Sequence, residues 1–114
     1  MFAVVFEVKL APGGEAAYLK VAEKISAMLL KQDGFISIER FRSINEEGKG
    51  LSLSFWESEA AIDNWRNQLP HRDGQQKGKD ELFSEYRVRV AQVMRDYINE
   101  ERSQAPADSM RALG

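Results

Sequence analysis

The sequence predicts a single α+β domain whose strands and helices follow the order β-α-β-β-α-β. Segments with apolar residues at every second position are interleaved with two segments whose apolar residues recur at helical spacing. Turns rich in glycine, proline or asparagine separate these segments. The length of 114 residues is that of one domain.

The first predicted strand covers residues 2–10, and its alternation divides the side chains between two faces. One face carries Phe2, Val4, Phe6, Val8 and Leu10, and the other carries Ala3, Val5, Glu7 and Lys9. Pro12, Gly13 and Gly14 then end the strand. A helix is predicted over residues 15–31, because the apolar residues that follow recur at helical spacing.

A hairpin is predicted next. Asp33 and Gly34 form a helix stop, and residues 35–44 alternate as a second strand. Residues 45–50 contain two glycines and predict the hairpin loop before a third strand over residues 51–56. The second and third strands are therefore expected to pair antiparallel.

The second predicted helix begins after Ser58, a good N-cap, and ends at Pro70. Its apolar face carries Ala61, Ile62, Trp65 and Leu69. Residues 71–84 are polar and predict a loop or a marginal helix. A fourth strand is expected over residues 85–97, with a bulge near Ala91, and residues 98–114 are expected to form an extension or a flexible tail.

This order is the ferredoxin-like arrangement, in which four antiparallel strands carry both helices on one face. Two helices cover only that face, whereas the first strand has apolar residues on both. The uncovered face is expected to pack against a second copy of the chain, giving a homodimer, because monomers rarely expose a large apolar patch.

Composition narrows the function classes. The chain has 16 basic and 18 acidic residues, so a nucleic-acid partner is not expected. It has no cysteine and one histidine, which argues against a conventional metal centre. The apolar N-terminus is too short to span a membrane and lacks a basic leader, so we expect a cytoplasmic protein with no membrane partner.

The segment Phe55-Trp56-Glu57-Ser58, followed by Ala61-Ile62-Asp63-Asn64-Trp65 and then His71, resembles the antibiotic biosynthesis monooxygenase family of the dimeric α+β barrel superfamily. The resemblance covers residues 1–97. It implies a barrel made of two packed sheets. It also implies either a cofactor-independent oxygenase, acting on a small hydroxylated aromatic or quinol-type compound with molecular oxygen, or a haem-degrading enzyme.

The haem-degrading branch combines an asparagine on the first strand, a tryptophan on the second helix and a histidine about ten residues later. Trp65 matches, but Glu7 takes the place of the asparagine and Gln75 that of the iron ligand. No cofactor is therefore expected, with haem as the minority alternative. A non-catalytic dimeric module that binds a small ligand also stays open.

Five residues are candidates for the site. His71 and Glu7 are candidate bases, and Trp65, Asn64 and Tyr86 are candidate substrate-binding residues. The competing interpretations are a core contact for Trp65, an exposed loop position for His71 and an edge-of-core position for Tyr86. Glu7 would lie under the helices if the phenylalanine face of its strand packed against the partner. Otherwise it is expected to pair with a strand arginine such as Arg40, Arg42, Arg87 or Arg89, which are interpreted mostly as solvated charges.

Overall fold

The computed structural model of the chain describes residues 1–68 and 83–107. Its elements are β1 (Phe2–Leu10), α1 (Glu15–Leu29), β2 (Phe35–Arg42), β3 (Lys49–Trp56), α2 (Glu59–Arg66) and β4 (Phe83–Gln92). The predicted order of elements and the ferredoxin-like α+β class are confirmed. Neither helix in these residues is long and apolar enough to cross a membrane.

The four strands form one antiparallel sheet in the order β2-β3-β1-β4. β1 is an inner strand, so its two sets of alternating side chains fall on the two faces of the sheet. We call the face under α1 and α2 the helix face and the opposite one the outer face. Phe2 and Val4 pack against the core on the helix face, which places Glu7 on the outer face. The arrangement with Glu7 under the helices is therefore wrong, because the larger apolar side chains of β1 are the ones that the helices cover.

The core lies where α2 meets the ends of α1 and β3. It consists of Leu29, Trp56, Ala61, Ile62 and Trp65, all buried. Trp56 is 1% exposed and meets the ring of Phe35 edge to face, with centroids 5.3 Å apart. The Trp56 and Trp65 rings are 6.5 Å apart, so α2 is held to the sheet mainly through aromatic packing.

Two local features fix the start of α2. The Ser58 hydroxyl accepts the backbone N–H of Ala61 at 3.1 Å, which confirms the predicted N-cap. Gly34 has φ +81°, and a Cβ atom there would lie 2.6 Å from the Cβ of Ala61. Its carbonyl accepts the N–H of Glu57 at 2.8 Å. Only glycine combines this backbone conformation with so close an approach of the α1–β2 turn to α2.

Several bounds differ from the prediction, most clearly at β4, which ends at Gln92 and not at residue 97. Gln92 pairs with Phe2, the first residue of β1, and the Val93 N–H donates to the Met1 carbonyl at 2.9 Å. Beyond that point no strand among residues 1–68 and 83–107 pairs with β4. The register shift between these strands occurs near Lys9 and not near Ala91. The predicted loop over residues 71–84 falls outside the described residues except for its last two positions, which belong to β4.

Candidate active site

A cavity of about 160 Å³ lies between the helix face of the sheet and the two helices. Its wall is mostly apolar and includes Val4, Ile25, Leu29, Ile38, Trp56 and Trp65. An apolar cavity of about 150 Å³ is large enough to hold a benzene ring. The space therefore suits a ligand with a single ring or a similar apolar body.

Strand register arranges the helix-face side chains that line the cavity in rows across the sheet. One row consists of Arg40, Ser52, Phe6 and Val88, and the next consists of Ile38, Ser54, Val4 and Val90. Trp56 lies beyond the second row, beside Trp65 from α2. The cavity thus has an aromatic end near α2 and a polar end at Arg40 and Ser52.

The aromatic end is fixed by a hydrogen bond within β3. Trp56 Nε1 donates to Ser54 Oγ at 3.0 Å, and Ser54 is 7% exposed. Because the serine accepts the indole proton, its own O–H remains a donor on the cavity wall. Ser54 therefore both orients Trp56 and contributes a polar group to an otherwise apolar region.

Arg40 is the strongest departure from the sequence interpretation. Its guanidinium points to α1, where Nη1 donates to Ser26 Oγ at 2.7 Å and Nη2 donates to the Ala22 carbonyl at 3.3 Å. Nε is buried and has no acceptor, and no salt bridge among the described residues involves this arginine. Arg40 is therefore a half-buried cation on the cavity wall. A solvated strand-face charge, which was the interpretation from sequence, is wrong for this residue.

The sequence signal that locates Arg40 is its spacing from Ile38. Residues two apart on a strand share a face, so a residue on the face of Ile38 lies under the helices. Arg42, two residues farther on, forms a salt bridge with Glu15 of α1 and has a largely exposed side chain. The two arginines differ because α1 crosses β2 near Arg40. The alternation of β2 alone does not predict where that crossing occurs.

Comparison with known proteins identifies the group to which this fold and cavity belong. Residues 1–77 match the sequence profile described as antibiotic biosynthesis monooxygenase. The chain belongs to the antibiotic biosynthesis monooxygenase family. The recognition made from the tryptophan-containing segment is thus confirmed.

Two curated proteins are similar in sequence to this chain. It is 40% identical over 93 residues to a protein of Pyricularia oryzae named jasmonate monooxygenase ABM, covering 82% of this chain. It spans only 43% of that relative's length. It is also 31% identical over 100 residues to the uncharacterized protein YqjZ of Bacillus subtilis, covering 88% of this chain and 85% of YqjZ.

Solved structures share the monooxygenase-family fold at low sequence identity. Rv0793 of Mycobacterium tuberculosis superposes with a TM-score of 0.75 at 18% identity, covering 83% of this chain and 96% of that one. SnoaB, a cofactor-independent oxygenase from Streptomyces nogalater, superposes with a TM-score of 0.74 at 14% identity, covering 83% and 94%. These likenesses establish the fold.

The predicted site residues fall in different places. Trp65 is 6% exposed and lines the cavity. Tyr86 lies on the helix face of β4 with its ring 5.7 Å from that of Phe6, and it is 45% exposed. Asn64 is exposed on α2 and does not line the cavity. His71 lies outside the described residues.

Glu7 forms a salt bridge with Arg89 of the neighbouring strand β4, with Oε2 and Nη1 3.0 Å apart. This confirms the expected pairing with a strand arginine. Both side chains are on the outer face, away from the cavity. The structure therefore separates Glu7 from Trp65 and joins Trp65 with residues that the sequence did not single out as site residues, namely Arg40, Ser52 and Ser54.

Proposed function

We propose that this protein is a cofactor-independent monooxygenase that oxidises a small hydroxylated aromatic or quinol-type compound with molecular oxygen. The observation that carries the proposal is the ring-sized apolar cavity walled by Trp56 and Trp65, with few polar groups. An apolar site of this kind reduces the water around a bound anion and holds the anion in one orientation. Family membership and the fold shared with a cofactor-independent oxygenase support the same chemistry.

In the proposed reaction, His71 removes a proton from the substrate, and the resulting anion donates electrons to oxygen. An imidazole with an ordinary pKa near 6.5 suits this role close to neutral pH. With an anthrone, the methylene carbon loses both hydrogens and gains one oxygen atom as a carbonyl. The other oxygen atom leaves with these hydrogens as water. The substrate supplies all the electrons, so the scheme needs no further reductant.

The remaining candidates take binding roles in this scheme. Trp65 contacts the substrate ring, and Asn64 and Tyr86 are proposed to bind substrate oxygens where the substrate extends beyond the cavity. We propose His71 and not Glu7 as the base, and the position of Glu7 on the outer face in a salt bridge with Arg89 supports this choice. The base role is thus proposed for His71 alone.

Oxygen uptake by the metal-free protein tests the proposal, with a panel of dihydroxynaphthalenes, anthrones and quinols as substrates. We expect uptake with at least one compound, and we expect His71→Ala to lower it about a hundredfold or more. Glu7→Gln is the matched control and should keep the rate of the wild type. Full activity in His71→Ala would remove the base assignment.

The alternatives give different results in the same set of experiments. A haem-binding protein would give a shifted, stoichiometric Soret band on addition of haemin. A non-catalytic module would be stabilised by a ligand without consuming oxygen. Either result, together with no uptake across the panel, would contradict the proposed monooxygenase.

We also propose that two copies of the chain pack through their outer faces. Apolar side chains on the inner strands occupy the middle of this face, and they are Ala3, Val5, Leu51, Leu53 and Phe55, with Phe41 beside them on the edge strand β2. The Glu7–Arg89 salt bridge lies next to them. An apolar centre with charged surroundings is typical of a subunit interface. Two sheets packed in this way form the dimeric α+β barrel expected from the family resemblance.

A further inference from the structure

We infer that Arg40 binds a carboxylate, so that the hydroxylated aromatic or quinol-type ligand of the cavity also carries one carboxylate group. This inference rests on the proposed function, because it takes the cavity as the substrate site. It adds the charge of the substrate and the residue that selects it.

The guanidinium of Arg40 has no anionic partner among the described residues. Its two described hydrogen bonds go to Ser26 Oγ and the Ala22 carbonyl, which are neutral acceptors. Nε is buried without an acceptor. A buried donor without a partner is unfavourable, and a half-buried cation without an anion more so. A carboxylate in the cavity would supply the missing negative charge.

Arg40 is held in place before any ligand binds. Its bonds to Ser26 and to the Ala22 carbonyl attach the guanidinium to α1, while its backbone belongs to β2. A cation fixed in this way loses little side-chain freedom on binding. The planar guanidinium also matches a carboxylate in shape better than an ammonium group does.

The polar end and the aromatic end of the cavity lie at different positions along β3. Arg40 lies directly opposite Ser52 on β3, and both residues line the cavity, so the Ser52 hydroxyl is a second donor at this end. Trp56 lies four residues farther along β3, a separation of about 13 Å along the strand. A ligand with its ring near Trp65 and a carboxylate arm directed along β3 toward Arg40 would contact both ends of the cavity.

The experiment compares two probes of the same carbon skeleton and similar size, the anionic 3-cyclohexylpropanoate and the neutral 3-cyclohexylpropanamide. Neither absorbs where tryptophan does, and both tryptophans of the chain line the cavity, so indole fluorescence reports its occupancy. Isothermal titration gives the affinities. We expect the wild-type protein to bind the acid at least about tenfold more tightly than the amide.

The same ratio in three variants identifies the residue responsible. Arg40→Gln should bring the ratio close to one, whereas Arg40→Lys, which keeps the charge, should retain a preference for the acid. Arg42→Gln is the matched control, because that arginine is on the same strand but pairs with Glu15, and it should keep the full ratio. Using the ratio within each variant removes any general effect on folding, which thermal denaturation checks separately.

The inference is overturned if the wild type binds the acid no better than the amide, or if the preference survives in Arg40→Gln. Its failure and that of the proposed function are separable, because the probes are not oxidised. Loss of the preference in Arg40→Gln without any oxygen uptake would uphold the carboxylate site alone. Oxygen uptake with neutral quinols and no acid preference would uphold the monooxygenase alone.

Discussion

Replacing Gly34 by alanine is expected to destabilise the protein by about 2 to 5 kcal/mol through two separable effects. The first is the left-handed backbone, φ +81°, which costs a residue with a Cβ atom about 1 to 2 kcal/mol. The second is the new Cβ atom 2.6 Å from the Cβ of Ala61, well inside ordinary carbon–carbon contact. Overpacking of this kind costs about 1 to 3 kcal/mol.

Two other glycines provide the control for the backbone effect. Gly13 has φ +74° and Gly48 has φ +78°, and a Cβ atom at either position would meet nothing within 4 Å. Gly13→Ala and Gly48→Ala should therefore lose only about 1 to 2 kcal/mol. Gly34→Ala should melt roughly 4 to 12 °C below them, at about 4 °C for each kcal/mol in a domain of this size.

A double-mutant cycle with Ala61→Gly isolates the contact itself. Ala61→Gly costs about 1 kcal/mol of helix propensity but removes the atom that the new side chain meets. The double variant should then be more stable than the sum of the single effects by about 1 to 3 kcal/mol. Two results would refute this account of how α2 packs against the α1–β2 turn. One is a Gly34→Ala variant that melts no lower than the two controls, and the other is strict additivity of the two substitutions in the double-mutant cycle.

The remaining predictions concern the outer face and an exposed ion-pair cluster. Leu53→Glu places a charge in the middle of the outer face and should convert a dimer to a monomer in sedimentation velocity runs, whereas Ile44→Glu, at a fully exposed position, should not. A wild-type protein that sediments as a monomer at micromolar concentration would contradict the proposed dimer. Lys9 lies close to Glu46 and Glu85. The pKa of Lys9 is raised above its ordinary value of 10.5, first because Lys9 donates a hydrogen bond to Glu46 and second because Glu46 is negatively charged. A raised folded-state pKa stabilises the fold below pH 10.5, and this stabilisation is lost as the pH rises through the folded-state value. The difference in melting temperature between the wild type and Lys9→Met should therefore shrink above pH 10.5 and with added salt, and a constant difference would contradict it.

The element order could be predicted because each segment carries its own local signal. Ser58 shows this for α2, and the glycine at position 48, with φ +78°, shows it for the hairpin loop. The end of β4 could not be predicted in the same way. Its sequence continues to favour a strand past Gln92, but the pairing stops where β1 begins at Phe2. Strand length is thus set by the partner strand, which is distant in sequence.

The candidate site was predictable only in part, for a related reason. The helical spacing of α2 predicts that Trp65 lies on its buried face, and the structure places the residue on the cavity wall. Alternation in β1 gave two faces but not which one the helices cover, so Glu7 had two possible environments. Arg40 and Arg42 lie on the same face of β2 by alternation. Only the crossing of α1 over the strand places Arg40, and not Arg42, on the cavity wall. Such information belongs to the packing of elements and not to any single segment.

The alternation of β1 has a consequence for how this protein can change over evolutionary time. Val4 and Phe6 line the cavity, while Val5 and Glu7, their immediate neighbours in the chain, face the opposite way. New ligand preferences can therefore arise by single replacements that leave the outer surface of the subunit untouched. Conversely, replacements on the outer face, where we propose that two copies pack, leave the side chains that line the cavity unchanged. A laboratory library that randomises positions 4 and 6 together with 88 and 90 would explore substrate range while every variant keeps the same side chains on the outer face of the sheet.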